Sequence, residues 1–385
     1  MASLPPPPPP PQQPHQHLAV RAVTAFIVLT PDHSTWRTVL AHAVQKAGDI
    51  AQHLRQQHYA VQSLRLITNP FSQYLDLSSS ASALQDLDRI KTQLQQFETE
   101  DFSTLLQGTR IRFSIGAADT PEAIALVPSL IRSGGDLANT CVNVNLDDNN
   151  VLDHATLQLA AQTVVELSRT TPQGQGNFNF TINFNGPTLC PYFPAGFNTR
   201  EMGNSIVVGL EYPNLLVHVL EQLVAPKGSN SIVSDGPSSK QHDWARARIV
   251  LQQEIETHVR AIVNVVEGHC GRLKKGGGFR FRGIDSSPAP SKHCQSMCRV
   301  VELLGVPRFG AAGTVEACAF LTRVFKSVGQ GGGDGSGGQE KVPWVSLVGF
   351  SGLMFAALED VGLAEAAAQG QYDIQHLLTY SAVCG

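Results

Sequence analysis

The sequence predicts an α/β fold in which helices surround a many-stranded, largely parallel sheet. Short β-branched and apolar runs alternate with segments whose apolar residues recur at steps of three and four, the pattern of strands connected by helices. Of the 385 residues, 42% are hydrophobic and only 16% are charged. Strands buried on both faces need long apolar runs, so this composition favours a buried parallel sheet.

The first predicted strand covers residues 19–30 (AVRAVTAFIVLT), which are apolar and β-branched, lack a helical period and end before Pro31. About eight or nine strands are expected along the chain. Those that can be placed lie at 19–30, 61–68, 109–115, 140–146, 177–184, 205–210, 279–284 and 342–348. With this number, a closed or nearly closed sheet fits the pattern as well as an open, doubly wound sheet does.

The first predicted helix has its apolar face between Trp36 and Leu54, and Asp32 or Ser34 can cap it. Each further strand is followed by a similar amphipathic segment, except where two helices or two strands come in succession. Helices are predicted at 36–54, 81–100, 121–132, 154–168, 213–223, 241–267, 293–304, 313–328 and 353–358.

Residues 19–385 are expected to form a single domain, preceded by a disordered polyproline tail at 1–18. Seven consecutive prolines, 5–11, hold the tail extended without a core to pack on. The tail is either a ligand for an SH3- or WW-type groove or a dispensable extension. Flexible loops are predicted at 225–240 and at 329–338 (GQGGGDGSGG), because glycine-rich segments do not nucleate structure.

Charge and cysteine usage exclude several classes of protein. The 28 Lys and Arg against 32 Asp and Glu give a net charge of −4, which argues against a nucleic-acid partner. The longest apolar stretch, 342–358, is interrupted by Pro343, serines and glycines, so no membrane span is predicted. Seven cysteines, an odd number, and no apolar signal sequence predict reduced thiols and a cytoplasmic location.

Ligands of α/β folds bind beyond the carboxyl ends of the strands, so the segments after the predicted strands hold the candidate site residues. Cys190 opens a rigid, aromatic loop (CPYFPAGF), and Asp285 stands with two serines at the end of FRGID. Cys384 belongs to the terminal segment TYSAVCG. Each has a structural alternative: Cys190 as a small buried hydrophobic residue and Asp285 as the cap of the next turn.

The segment GFSG at 349–352 is a third candidate, because its glycines allow close backbone approach and a predicted helix follows it. Ser351 lacks the full G-x-S-x-G pattern of a hydrolase, which makes that reaction improbable. Glu359 and Asp360 are candidates for acid–base catalysis or ordinary surface charges. His293, Cys294 and Cys298 lack the spacing of a metal knuckle, so no metal site is predicted.

Several of these segments together resemble the domain-of-unknown-function 711 (DUF711) family. The resemblance runs in order from about residue 19 to 385 and rests on VQSLRLITNPF, IRFSIG, CPYFPAGF, VVGLEY, FRGIDSSPAPS, GAAGTVEACAFLT, GFSGLMFAALEDVGLAEAA and LLTYSAVCG. It implies a barrel-like sheet similar to that of the pyruvate formate-lyase-like glycyl radical enzymes. The chain has no glycyl-radical motif of the R-V-S-G-Y type, so the roles of those enzymes' residues are not transferred.

The resemblance implies no reaction or cofactor. Members similar to this chain continue past YSAVCG, so the chain is expected to be truncated at its C-terminus relative to the family. The leading hypothesis is an enzyme of unassigned reaction that acts on a small polar or anionic metabolite inside the barrel. Its candidate catalytic residues are Cys190, Asp285, Ser351, Glu359, Asp360 and Cys384. The alternative is a non-catalytic small-molecule-binding or regulatory protein on the same fold.

Overall fold

The computed structural model describes residues 17–146, 149, 151–225, 244–270, 278–330 and 342–384, with side chains as far as Ser381. The predicted tail, apart from its last two residues, therefore lies outside the described part of the chain. So do residues 226–240 and 331–338 of the two predicted loops.

Seven strands form one sheet in the order β5-β4-β3-β2-β1-β6-β7. Strands β1 to β5 are parallel, β6 is antiparallel to β1, and β7 is parallel to β6. The strands are β1 Ala19–Phe26, β2 Leu64–Ile67, β3 Ile111–Ala117, β4 Asn139–Val144, β5 Phe180–Phe184, β6 Ser205–Glu211 and β7 Arg280–Asp285.

The sheet curls into a half-barrel and is open, so among the described residues the closed form of the predicted barrel-like sheet does not occur. Strands β5 and β7 are its two edges. The predicted strand 342–348 does not extend it, because this segment contributes a single parallel bridge, between Leu347 and Ile284. Pro343 has no N–H to donate to a ladder, and the Trp344 N–H instead donates to the Gly329 carbonyl at 3.0 Å.

Helices cover the outer face of the sheet, and most lie where the sequence predicts them. They are α1 Trp36–Gln56, α2 Ser80–Gln96, α3 Ser103–Leu106, α4 Pro121–Gly134, α5 His154–Thr170, α6 Pro213–Val224, α7 Trp244–Cys270, α8 Met297–Leu303, α9 Thr314–Ser327, α10 Val361–Ala368 and α11 Ile374–Cys384. The predicted helix at 353–358 is absent, because residues 353–356 are irregular and a turn follows at 357–359. In the described part of the chain, no helix is long and apolar enough to cross a membrane.

Alternation along the strands separates two cores. Val23, Leu66 and Phe113 point outward into the main core beneath the helices, whereas Phe26 and Ile67 point to the inner face. Residues 188–198, here called the inner loop, lie on that inner face. The Thr24 hydroxyl donates to the Pro191 carbonyl at 3.4 Å.

The far end of the inner loop is fixed in the same way. The Asn198 amide donates to the Ile27 carbonyl, just beyond β1, at 2.8 Å. The inner loop thus occupies the concave side of the half-barrel and forms one wall of the candidate site.

Candidate functional site

Asp285 ends β7 and is completely buried. Its Oδ1 accepts hydrogen bonds from the backbone N–H groups of Ser287 at 2.9 Å and Ser351 at 3.0 Å, and Oδ2 accepts one from Phe350 at 2.9 Å. Burial raises the pKa of Asp285 above its usual value, and these hydrogen bonds act in the opposite direction. The structure therefore brings the predicted residues Asp285 and Ser351 together, through the backbone of the GFSG segment.

The GFSG segment is shaped to enclose this carboxylate. Gly349 has a φ of +61°, and Ser351 has a φ of +41°. The Ser351 hydroxyl donates to the Val348 carbonyl at 2.8 Å and accepts from the Ser286 N–H at 3.2 Å. Successive N–H groups turned inward form an anion-binding concavity, and here the anion is the side chain of Asp285.

Cys190 is buried in the inner loop, close enough to Asp285 for the charge of this carboxylate to act on the ionisation of the thiol. Its thiol donates a weak hydrogen bond to the Tyr192 carbonyl, with 3.8 Å between sulfur and oxygen. Burial, and then the charge of Asp285, raise the pKa of Cys190 well above its usual value. This thiol therefore stays protonated at neutral pH, which disfavours a role as a nucleophile.

The two neighbouring acids of the sequence have different environments. Asp360 is buried and caps α10, since its Oδ1 accepts from the Leu363 N–H at 3.2 Å. Its Oδ2 accepts from the Met297 N–H at the start of α8, at 2.8 Å. The side chain of Glu359 is 60% exposed and pairs with Arg21 at 3.3 Å.

Cys384 is the last residue of α11, and its side chain lies outside the described part of the structure. Nothing in the structure therefore relates Cys384 to the other candidate residues.

A cavity of about 620 Å³ lies beside the inner loop, and Tyr192 of this loop contributes to its wall. It lies at the amino ends of β1 to β4 on the inner face of the sheet, and the irregular segment 354–359 closes one side. Its charged lining residues are Arg21, Arg65, Arg110, Arg112, Asp136 and Glu359. Its apolar wall contains Tyr192, Phe193, Ala289, Pro290 and Met354.

Arg21, Arg65 and Arg112 lie in the neighbouring strands β1, β2 and β3 and are here called the arginine row. Arg65 is its central member, and its register partners are Thr24 of β1 and Arg112 of β3. Its Nε donates to the Ser63 hydroxyl at 3.2 Å, and its Nη1 donates to the Pro191 carbonyl at 3.1 Å. Its guanidinium carbon lies 5.1 Å from the centre of the Phe193 ring. Burial, and then the neighbouring charge of Arg21, lower the pKa of Arg65 to about 10.

Two of the other guanidinium groups are paired with carboxylates. Arg112 forms an ion pair and a hydrogen bond with Asp136. Arg21 lies 3.3 Å from Glu359 and 3.8 Å from the buried Glu211. Arg65 has no such carboxylate contact, so its charge is less compensated than the charges of Arg21 and Arg112.

A family model described as "Uncharacterised ACR (DUF711)" matches residues 14–385. The chain belongs to the DUF711 family. A "UPF0210 protein" from Pyrobaculum arsenaticum is 26% identical over 389 aligned residues, which cover 96% of this DUF711 chain and 76% of the relative.

Other relatives are also named only as members of this family. A "UPF0210 protein" from Pyrobaculum islandicum is 25% identical over 65% of the DUF711 chain and 46% of its own length. One from Actinobacillus succinogenes is 23% identical over 80% of the chain and 60% of its own length. The chain thus spans about half to three quarters of these curated relatives.

The arginine row of this DUF711 chain was missed by reasoning from sequence. Arg21, Arg65 and Arg112 each lie within the first three residues of a strand, and these strands are neighbours in the sheet. One arginine near the start of each of three successive predicted strands is the signal that could have identified the row.

Among the described residues, no group of three or more His, Cys, Asp or Glu side chains is placed to hold a metal ion.

Proposed function

We propose that this DUF711 protein binds a small anionic metabolite in the arginine-lined cavity between the inner loop and the amino ends of β1 to β4. A volume of about 620 Å³ lies within the range of small-molecule sites. The cavity lies at the amino ends of β1 to β4, whereas ligands of parallel sheets usually bind beyond the carboxyl ends. Because β6 and β7 run antiparallel to β1, their carboxyl ends reach this same side of the sheet.

The hydrogen bonds of Arg65 carry this proposal. Its Nε and Nη1 donate to the neutral oxygens of Ser63 and Pro191. Within the described part of the chain, Nη2 has no acceptor from the protein. A guanidinium has five N–H donors in a planar fork suited to carboxylate and phosphate, so this free edge provides a binding point for an oxyanion.

Electrostatics supports the same conclusion. A partly buried cation without a carboxylate partner is costly to maintain. Burial and the charge of Arg21 lower the pKa of Arg65 to about 10, which shows that the charged guanidinium is destabilised at this position. Arg65 nevertheless stays charged at neutral pH. A bound anion would stabilise this charge.

Binding is better supported than catalysis by the candidate residues. The carboxylate of Asp285 and the hydroxyl of Ser351 are both committed to backbone partners, and Cys190 is a buried, protonated thiol. The second hypothesis raised by the sequence, a non-catalytic small-molecule-binding protein, therefore fits the geometry better. The likeness to the glycyl-radical barrel and the cytoplasmic location stay predictions.

The test compares thermal unfolding of the wild-type protein with and without acetate, succinate or inorganic phosphate, each against sodium chloride of equal ionic strength. A ligand at 100 times its Kd stabilises the folded state by about 2.7 kcal/mol. We expect at least one of these anions to raise Tm, and Arg65→Gln to abolish the rise. The control is Arg299→Gln, because this exposed arginine pairs with Glu221 outside the cavity. Equal responses of wild type and Arg65→Gln would refute the proposal.

A further inference from the structure

We infer that the ligand of this cavity carries two separate anionic groups, one bound by Arg65 and the other by Arg110. This inference rests on the proposed function and specifies the chemical class of its ligand, a dicarboxylate or a comparable dianion. Its basis is the distribution of partners among the four arginines of the cavity.

Only two of the four guanidinium groups have carboxylate partners within the described chain. Asp136 pairs with Arg112, and both Glu359 and the buried Glu211 pair with Arg21. Arg65 and Arg110 have no carboxylate within 4 Å, although the charge of Glu359 also favours the charged form of Arg65. Two guanidinium groups that line one cavity without a carboxylate contact provide two binding points for the anionic groups of a ligand.

The sheet register gives the approximate spacing of these two cations. Leu64 of β2 is the register partner of Ile111 of β3, and Arg110 directly precedes β3. Extending the register by one residue places Arg110 opposite residue 63 and one diagonal step from Arg65. Neighbouring strands are about 4.8 Å apart and two residues advance by about 6.6 Å, which places the two Cα atoms about 8 Å apart. Because side chains two positions apart on neighbouring strands point to the same face, both arginines can reach one short ligand.

Glu98 is the further acid near Arg110, and its position leaves the arginine available. It lines a smaller adjoining recess of about 100 Å³, which Arg110 and Arg112 share. Its Oε1 accepts a hydrogen bond from the Ile111 N–H at 2.6 Å. Arg110 is exposed and lines both spaces, so its long side chain can turn toward the ligand without breaking an ion pair.

The experiment measures binding by titration calorimetry with two probes of equal chain length, succinate with two carboxylates and butyrate with one. We expect succinate to bind the wild-type protein at least about tenfold more tightly, since each charge-assisted hydrogen-bond pair contributes on that order. Arg110→Gln should lower the affinity for succinate to that for butyrate and leave the affinity for butyrate unchanged. Arg65→Gln should weaken both.

A matched control, inorganic phosphate as a third probe and four outcomes make the result decisive. Arg132→Gln removes an exposed arginine of α4 that contacts Ser129 and lies outside this cavity, and it should leave both affinities unchanged. Equal wild-type affinities for succinate and butyrate would overturn the inference and leave the proposed function standing, as would an equal loss of both in Arg110→Gln. Tighter binding of inorganic phosphate than of succinate would overturn the two-group arrangement. If none of the three anions binds, the proposed function fails as well.

Discussion

Gly349 and Asp285 are in such close contact that residue 349 has no room for a side chain. A Cβ atom built on Gly349 would lie 2.2 Å from the Asp285 Oδ2 atom. The two residues are 64 positions apart in the chain, yet their contact fixes the start of the segment that forms one side of the cavity. This contact gives Asp285 a structural role, because it holds the GFSG segment against the end of β7.

We predict that Gly349→Ala destabilises the protein by about 3 kcal/mol, because it adds a steric clash to a positive φ. Gly370→Ala is the matched control, since Gly370 has a φ of +67° but nothing within 4 Å of the added atom. Gly370→Ala should lower the free energy of unfolding by about 1 kcal/mol, because only the positive φ is unfavourable there. Urea denaturation measures both. A similar loss in the two variants would show that the contact with Asp285 is not tight.

Glu359→Gln should strengthen anion binding by about two- to fivefold, because it removes from the cavity wall a negative charge that attracts Arg65 as well as Arg21. The measurement is calorimetric titration with succinate. Glu365→Gln, an exposed acid of α10 outside the cavity, is the control and should leave the affinity unchanged. Weaker binding in Glu359→Gln would instead show that Glu359 itself contacts the ligand.

Cysteine labelling should separate the buried thiol from the accessible ones. Burial raises the pKa of both Cys270 and Cys294 to about 11, and both are partly exposed. Their alkylation by iodoacetamide should therefore accelerate about tenfold per pH unit between pH 7 and 9. Cys190 should stay unlabelled in the folded protein and react in denaturant, as followed by peptide mass spectrometry. Rapid labelling of Cys190 in the folded protein would instead support the hypothesis that this thiol is a nucleophile.

Stability should fall between pH 7.5 and pH 5.5 because of one histidine pair. The His53 Nδ1 lies 3.2 Å from the His269 Nε2, which links α1 to the end of α7. Burial, then His53 and Lys46, lower the pKa of His269, whereas Asp49 acts in the opposite direction. A histidine whose pKa is lowered on folding stabilises the protein above its unfolded pKa of about 6.5, and this contribution is lost as the pH falls through its folded pKa.

The variant His269→Gln should therefore show a smaller drop in its urea midpoint over this range than the wild-type protein. His154→Gln, which changes an exposed residue in the first turn of α5, should follow the wild-type pH dependence. An unchanged drop in His269→Gln would assign the pH dependence to other groups.

Periodicity predicted the alternation of strands and helices well, because burial of one helix face or of a whole strand leaves a local pattern. The α1 helix, for example, follows directly from the spacing of Trp36 and Leu40. The antiparallel pairing of β6 with β1 is different, because it depends on contacts between segments about 190 residues apart that no local pattern records. The segment 342–348 has a strand-like composition, but only Leu347 finds a partner in β7.

The candidate site was predictable only in part, for a chemical reason. Asp285 and Ser351 were selected for their side chains, and the structure joins them through backbone N–H groups, which every residue except proline possesses. The helix N-terminus expected to bind an anion after GFSG does not form there. The arginine row was missed because Arg65 and Arg112 count as ordinary members of short strands until the strand order makes them neighbours.

The carbonyl of Pro191 accepts hydrogen bonds from both Thr24 and Arg65, and it belongs to the residue next to Cys190. An anion bound at the free Nη2 edge of Arg65 would leave both of these hydrogen bonds in place. The inner loop would then keep its attachment to β1 and β2, and the thiol of Cys190 would stay covered in the empty and in the occupied cavity. The half-barrel can therefore admit a ligand on one side of the inner loop without exposing the thiol on the other.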